Sequence, residues 1–248
     1  MLAVAVIAFL GGLIAGSFVT AVAHRVPRGL SIVGPRSQCP SCGQQIAAYD
    51  NVPVFSWLLL RGRARCCGAA ISPRYPLTEL IVGLLFAATV LVHRDDPAEA
   101  AIGLVFVTML AAVTLADLEQ RIIPNKILIV GAVACVAIVL AAEPGTMPER
   151  LLAAAAAGGV FFLAALAYPG GMGLGDVKLA ATMGLFLGSA VAPAILIALL
   201  TGSVVGVMLL VRHGAEARKM AIPFGPFLAI GGVAGMLAGS QLIDLYLG

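Results

Sequence analysis

Between Leu179 and Val211 the chain runs for 33 residues without a formal charge. As a single helix that run would be about 50 Å long, against a bilayer hydrocarbon core of about 30 Å. It therefore reads as two membrane crossings or one broken crossing, with Gly188-Ser189 and Pro193 marking where the break would fall. Composition agrees: 61% of the 248 residues are apolar and 11% charged, where a soluble domain carries about 45–50% and about 25%. A soluble globular fold is excluded. The expected class is an all-α, polytopic integral membrane protein.

Seven further features complete the layout. Met1 to Ala23 is an uncharged apolar run followed, not preceded, by Arg25 and Arg28, which favours a retained anchor over a cleaved signal peptide. Residues 24–76 form one polar segment rich in Pro, Gly, Arg and Cys with no sustained periodicity, expected to be a loop outside the membrane. Apolar runs follow at Leu77 to Val92, Ala98 to Ala116, Ile127 to Ala142, Leu151 to Tyr168 and, last, Ile222 to Leu245. With the pair after Leu179, about eight crossings are expected. The domain layout is a first helix at 1–23, a Cys/Arg-rich loop at 24–76 and a multi-helix core at 77–248.

Charge gives the orientation, because Lys and Arg of short flanking loops stay cytoplasmic. With the amino terminus outside, the loops 24–76, 117–126, 169–178 and 212–221 fall inside and hold thirteen of the fifteen Lys and Arg. Only Arg94 and Arg150 fall outside, beside Asp95, Asp96, Glu99 and Glu149. The formal charge of +3 is too small to imply a nucleic-acid partner.

Carboxylates beside apolar segments are costly in hydrocarbon and persist mainly where they act. Three qualify: Glu79, Asp117 and Asp176. Asp117 ends the third run, and Asp176 follows Gly171-Met172-Gly173-Leu174-Gly175 and precedes Val177-Lys178. In the charge-derived topology Asp117 and Asp176 share the cytoplasmic face. Two carboxyl groups close together cannot both ionise cheaply, so one holds a proton while the other can activate water, the chemistry of aspartic peptidases. Equally, Asp117 could cap a helix at the water boundary and the glycines form a turn. A proton- or cation-coupled transporter also uses such acids and Gly-broken helices. No H-E-x-x-H is present, and His24, His93 and His213 stand singly.

In the polar loop, Cys39-Pro40-Ser41-Cys42 and, further on, Cys66-Cys67-Gly68 read as a structural zinc site, since a reducing cytoplasm disfavours a disulfide. The adjacent pair does not repeat the C-x2-C spacing. The fourth ligand, and a metal-free loop, stay open. Cys135 lies in an apolar run as a small buried hydrophobe.

Taken in order, these pieces resemble the type IV prepilin peptidases, membrane aspartyl proteases of the GxGD type. The resemblance runs through Gly16-Ser17-Phe18, His24-Arg25-Val26-Pro27, Pro35-Arg36-Ser37-Gln38-Cys39-Pro40-Ser41-Cys42, Asn51-Val52-Pro53, Leu60-Arg61-Gly62-Arg63 and Ile71-Ser72-Pro73-Arg74-Tyr75-Pro76. It continues through Glu79-Leu80, Asp117 with Ile123-Pro124-Asn125, Gly173-Leu174-Gly175-Asp176-Val177-Lys178-Leu179 and Ile222-Pro223-Phe224-Gly225-Pro226. It implies that Asp117 and Asp176 form the catalytic pair, with Gly173, Gly175 and Lys178 shaping the second motif. It implies prepilin-like precursors as substrates, cut at the cytoplasmic face of a bacterial-type inner membrane, with no cofactor for the cleavage. Members are often also N-methyltransferases using S-adenosylmethionine, an activity tied to the loop in which Cys39, Cys42, Cys66 and Cys67 would hold zinc. Two positions depart from the pattern: Ala64 stands where a cysteine is expected, with Cys66 in a variable place, and Thr20 replaces an asparagine.

Overall fold

Every apolar run of the sequence becomes a helix, because lipid offers backbone groups no partners and a helix satisfies them internally. The computed structural model describes residues 1–34, 37–168, 171–214, 216 and 222–247. Pro35 and Arg36 of the first loop, Pro169 and Gly170 of the third, and Arg218 and Lys219 of the fourth lie outside the described residues. Among the described residues there are two isolated β-bridges and no strand. Six helical runs are long and apolar enough to cross a membrane, which makes the chain an all-α, multi-pass membrane protein. The chain divides into two compact units, Met1–Asp95 and Asp96–Gly248.

In the first unit, α1 (Leu2–Arg25) and α3 (Arg74–Val92) pack side by side. The approach is backbone to backbone: a Cβ on Gly12 would lie 2.7 Å from the Gly83 Cα, and one on Gly16 would lie 2.7 Å from the Glu79 Cα. Lipid supplies no hydrophobic drive between helices, so close contact through small residues holds such a pair. The loop between them carries a one-turn 3-10 helix at Ala48–Asn51 and a short helix, α2 (Phe55–Leu59). Glu79 is buried and accepts the Val54 N–H at 2.7 Å, with the Ser17 hydroxyl as a second donor. That contact holds Val54 at φ 62, a left-handed conformation that β-branched residues avoid. Trp57 lies against Gly62 and donates its indole N–H to the Ile71 carbonyl at 3.0 Å.

The second unit contains α4 (Pro97–Gln120), α5 (Asn125–Ala142), α6 (Met147–Ala167), α7 (Leu174–Leu187), α8 (Val191–His213) and α9 (Gly225–Leu247). Asp96 caps α4, its Oδ1 accepting the Ala98 and Glu99 N–H groups at 3.0 Å, with Pro97 at the first helical position. The uncharged run after Leu179 breaks at Gly188–Ala190, where Gly188 adopts φ 55. The core of the unit is apolar: Phe106 stacks on Phe186 at 4.8 Å, and Leu110, Val113, Met183 and Leu228 are fully buried. Gly184 meets the Ala153 and Ala154 backbone of α6, a contact any side chain would prevent.

The α7 break is held by charge. Arg150 of α6 is buried, pairs with Glu99 of α4, and donates to the Phe186 carbonyl at 2.6 Å and the Thr146 hydroxyl at 3.2 Å. It thereby satisfies a carbonyl that the end of α7 leaves without an intrahelical partner. Glu149 does the reverse at the next residues, accepting the Ser189 N–H at 3.1 Å. Arg150→Met removes the cation and leaves Glu99 and the Phe186 carbonyl without it, so unfolding in detergent should be easier by about 3 kcal/mol. Thermal or denaturant unfolding of the purified variant measures this.

Two expectations change in detail. The sequence placed Asp117 and Asp176 in loops, but α4 continues to Gln120 before Arg121 ends it at φ 55, and α7 begins at Leu174. Both aspartates sit inside helices, Asp117 in the last turn of one and Asp176 in the first turn of the other. Leu118, Glu119 and Gln120 form helix well, so α4 outlasts its apolar run.

Candidate functional site

Among the described residues of the second unit, two acidic groups converge on a recess. A cleft of about 240 Å³ is lined by Asp117, Arg121, Ile122, Ile123, Asn125, Gly173, Gly175, Asp176 and Lys178. Two carboxylates separated by 59 positions in the chain thus meet in one cavity, near enough to interact electrostatically. The four-residue connection from α4 to α5 forms one wall, and the first turn of α7 forms the other.

Each aspartate is held by a glycine-containing backbone segment. Asp117 is only 5% exposed, and its Oδ2 accepts the Gly225 N–H of α9 at 2.9 Å. A Cβ on Gly225 would stand 2.7 Å from that oxygen. Asp176 donates its backbone N–H to the Gly173 carbonyl at 3.0 Å, and a Cβ on Gly173 would lie 3.2 Å from its Oδ2. Gly175 faces Ile123, where a Cβ would come within 3.0 Å. The glycines of the Gly173-Leu174-Gly175-Asp176 segment therefore let α7 start close against the α4–α5 connection without covering the carboxyl. Across the mouth, the Lys178 Nζ donates to the Asn125 Oδ1 at 3.1 Å and ties the first turn of α7 to that of α5.

The sequence singled out Asp117, Asp176, Gly173, Gly175 and Lys178, and all five line this cleft. Arg121 and Asn125 line it too, and Gly225 grips Asp117; sequence reasoning gave them no role. Gly225 had a visible signal, a glycine between Phe224 and Pro226 at the start of an apolar run. Glu79 belongs to the first unit, where its carboxylate serves the loop through Val54.

The first unit holds a different constellation. The sulfurs of Cys39, Cys42, Cys66 and Cys67 all lie within 4.8 Å of one another. The individual separations are 3.6 Å for Cys39 and Cys67, 3.4 Å for Cys42 and Cys66, and 3.8 Å for Cys66 and Cys67. A tetrahedron with metal–sulfur bonds of about 2.3 Å has sulfurs about 3.8 Å apart. Four thiols at that spacing fit a closed tetrahedral site for a soft divalent ion such as zinc.

The cluster is built from two similar turns, a repeat not evident in the sequence. In the first, Gln38 bridges Gln45, the Gly43 N–H reaches the Cys39 carbonyl at 2.8 Å and Gly43 takes φ 73. In the second, Arg63 bridges Ala70, the Gly68 N–H reaches the Ala64 carbonyl at 2.7 Å and Gly68 takes φ 71. Ala64 occupies the place of Cys39, Cys67 that of Cys42, and the extra thiol comes from Cys66 in the place of Ser41. Backbone N–H groups of Ser41 and Cys42 push the Cys39 thiol down to about 6. Hydrogen bonding to Cys42, followed by burial, pushes Cys66 up to about 12. Without a cation the cluster thus favours one thiolate, and a divalent ion would draw off the other protons.

Comparison with known proteins gives this geometry its context. Residues 10–93 match the Bacterial Peptidase A24 N-terminal domain, and residues 104–211 match the Type IV leader peptidase family. A Bacillus subtilis protein named prepilin leader peptidase/N-methyltransferase is 36% identical over 244 residues, 97% of each chain. Proteins of the same name from Myxococcus xanthus and Pseudomonas aeruginosa are 38% and 33% identical, over 85% and 95% of this chain and 64% and 91% of theirs. No solved structure matches. With both halves matched and the likeness running through almost the whole length, the chain belongs to the type IV leader peptidase family.

Proposed function

We propose that this protein is an aspartic endopeptidase that removes the leader from prepilin-like precursors, with Asp117 and Asp176 as its catalytic pair. The observation that carries the reading is the convergence of these two carboxyls in one cleft at helix ends. Family membership favours it over an ion-coupled transporter. One aspartate, ionised, takes a proton from water as the oxygen attacks the scissile carbonyl. The other, protonated, donates to the carbonyl oxygen. Gly225 orients Asp117 through its N–H, and the Lys178–Asn125 contact keeps the two walls in register.

The positive-inside distribution supports about eight crossings, an outside amino terminus and a cleft at the cytoplasmic face of a bacterial-type inner membrane. A site at that boundary reaches a bond between a basic leader and an apolar helix without extracting the helix from lipid. Cys39, Cys42, Cys66 and Cys67 would hold zinc, whose contribution is to cross-link the loop. The names of the relatives extend to N-methylation, for which S-adenosylmethionine would supply the methyl group. Thr20, in place of the family's asparagine, bonds its hydroxyl to the Ser17 carbonyl of its own helix at 2.7 Å.

Mass spectrometry of a precursor with a basic leader, a Gly and an apolar helix, incubated with the purified protein, tests the reading. Two fragments are expected, and an intact precursor overturns it. In the same assay Gly225→Ala should process at least about tenfold more slowly, because its Cβ displaces the Asp117 carboxyl, with the loss in kcat rather than KM.

A further inference from the structure

The loop between α1 and α3 contains a helix whose exposed face is apolar, although the segment stands outside the two spans. In and beside α2, Val52, Phe55, Leu58 and Leu59 are 45%, 58%, 59% and 83% exposed. Phe55, Leu58 and Leu59, three and four residues apart, share one face of α2, and Val52 stands exposed in the extended segment before it. Trp57 points the other way, onto Gly62 and the Ile71 carbonyl. A water-facing loop rarely displays such a contiguous patch.

The depth of this helix follows from Glu79. Its carboxylate accepts the N–H of Val54, the residue immediately before α2, at 2.7 Å. Glu79 lies five residues inside α3, about 7.5 Å along the helix axis from its start at Arg74. It also packs on Gly16, nine residues before the end of α1, about 13 Å along that helix. The start of α2 is therefore drawn below the ends of both spans that flank it. Arg61 and Arg63, both exposed, follow α2 within four residues, and Tyr75 is half-exposed in the first turn of α3. An exposed apolar face followed at once by cations, with an aromatic ring at the start of the adjoining span, is the profile of a segment seated at a lipid interface.

We infer that residues 52–59 form a wedge inserted into the bilayer interface, pinned by Glu79, with Arg61 and Arg63 meeting anionic headgroups. The occupant of the apolar face is lipid. The Glu79 tether to a membrane span, and the cations that follow the apolar face within four residues, argue for this against a protein partner. The wedge then ties the cysteine loop to the membrane surface independently of any metal.

The chain contains one tryptophan, so its emission reports this segment alone. The full-length protein is reconstituted in phosphatidylcholine–phosphatidylglycerol vesicles, with bromine near the headgroup end of the acyl chains. A wedge about 5–10 Å deep should lose on the order of half its emission to those lipids and little to aqueous iodide. Leu58→Asp combined with Leu59→Asp should reverse the ranking of the two quenchers. Absence of bromolipid quenching in the unaltered protein overturns the inference, whatever iodide does. A Trp57 emission shift on adding a precursor peptide, with no bromolipid effect, overturns it in favour of a protein-binding face.

Discussion

Asp176→Asn and Asp117→Asn, each made alone, should lower kcat/KM for precursor cleavage by about 10⁴-fold, about 5.5 kcal/mol of transition-state stabilisation. Asparagine keeps the size and the hydrogen-bond acceptor, so the Gly225 N–H can still be satisfied and the variants should accumulate in the membrane normally. What disappears is a group able to exchange a proton at each position. The double variant should be no worse than either single one, because a dyad that has lost one member has lost its function. Cleavage at the unaltered rate by either variant would remove the dyad. Simple multiplication of two modest losses would mean that the groups act separately.

The second large effect concerns the cysteines. Purified protein should carry about one zinc per chain, and Cys66→Ser should lose most of it. Structural zinc contributes about 10–16 kcal/mol in small domains. The segment around residues 37–71 should therefore become sensitive to protease in the variant or after chelation. The two similar turns supply a stricter test, because Ala64 stands where Cys39 stands in the first turn. Ala64→Cys in the Cys66→Ser background should restore both zinc and protease resistance. Metal retained by Cys66→Ser, or no rescue by Ala64→Cys, would show that the ligand set is something else. Elemental analysis with timed proteolysis reads both outcomes.

Much of this site was legible from residue type and position. Asp117 and Asp176 stood out because carboxylates beside apolar runs are expensive, and that argument needs no coordinates. The glycines before Asp176 announced a close approach, which the structure locates at Ile123. The partners of Asp117 were not legible, since Gly225 lies 108 residues away and a backbone N–H has no signature of its own. All four cysteines were candidate ligands from the sequence, but spacing left the fourth open for a different reason. Spacing rules expect paired thiols at the first and fourth positions of a turn, and here the third position supplies one. Helix limits near water were also uncertain, because Leu118 to Gln120 are helix formers without being part of an apolar run.

The shortness of α7 has a consequence for how the reagent arrives. Its 14 residues make about 21 Å, roughly two-thirds of a hydrocarbon core of about 30 Å. On the proposed topology the Arg150 end of α7 lies at the outer boundary and the shortfall falls at the end that bears Asp176. Non-helical backbone at 171–173 then falls within the nominal thickness of the membrane, where it needs cover from protein or from solvent. Local thinning of the bilayer, or a dimple of water reaching down to the first turn, meets that need. Either one brings a hydrolytic molecule to the carboxyls without a gate, and it makes turnover sensitive to acyl-chain length in the host membrane.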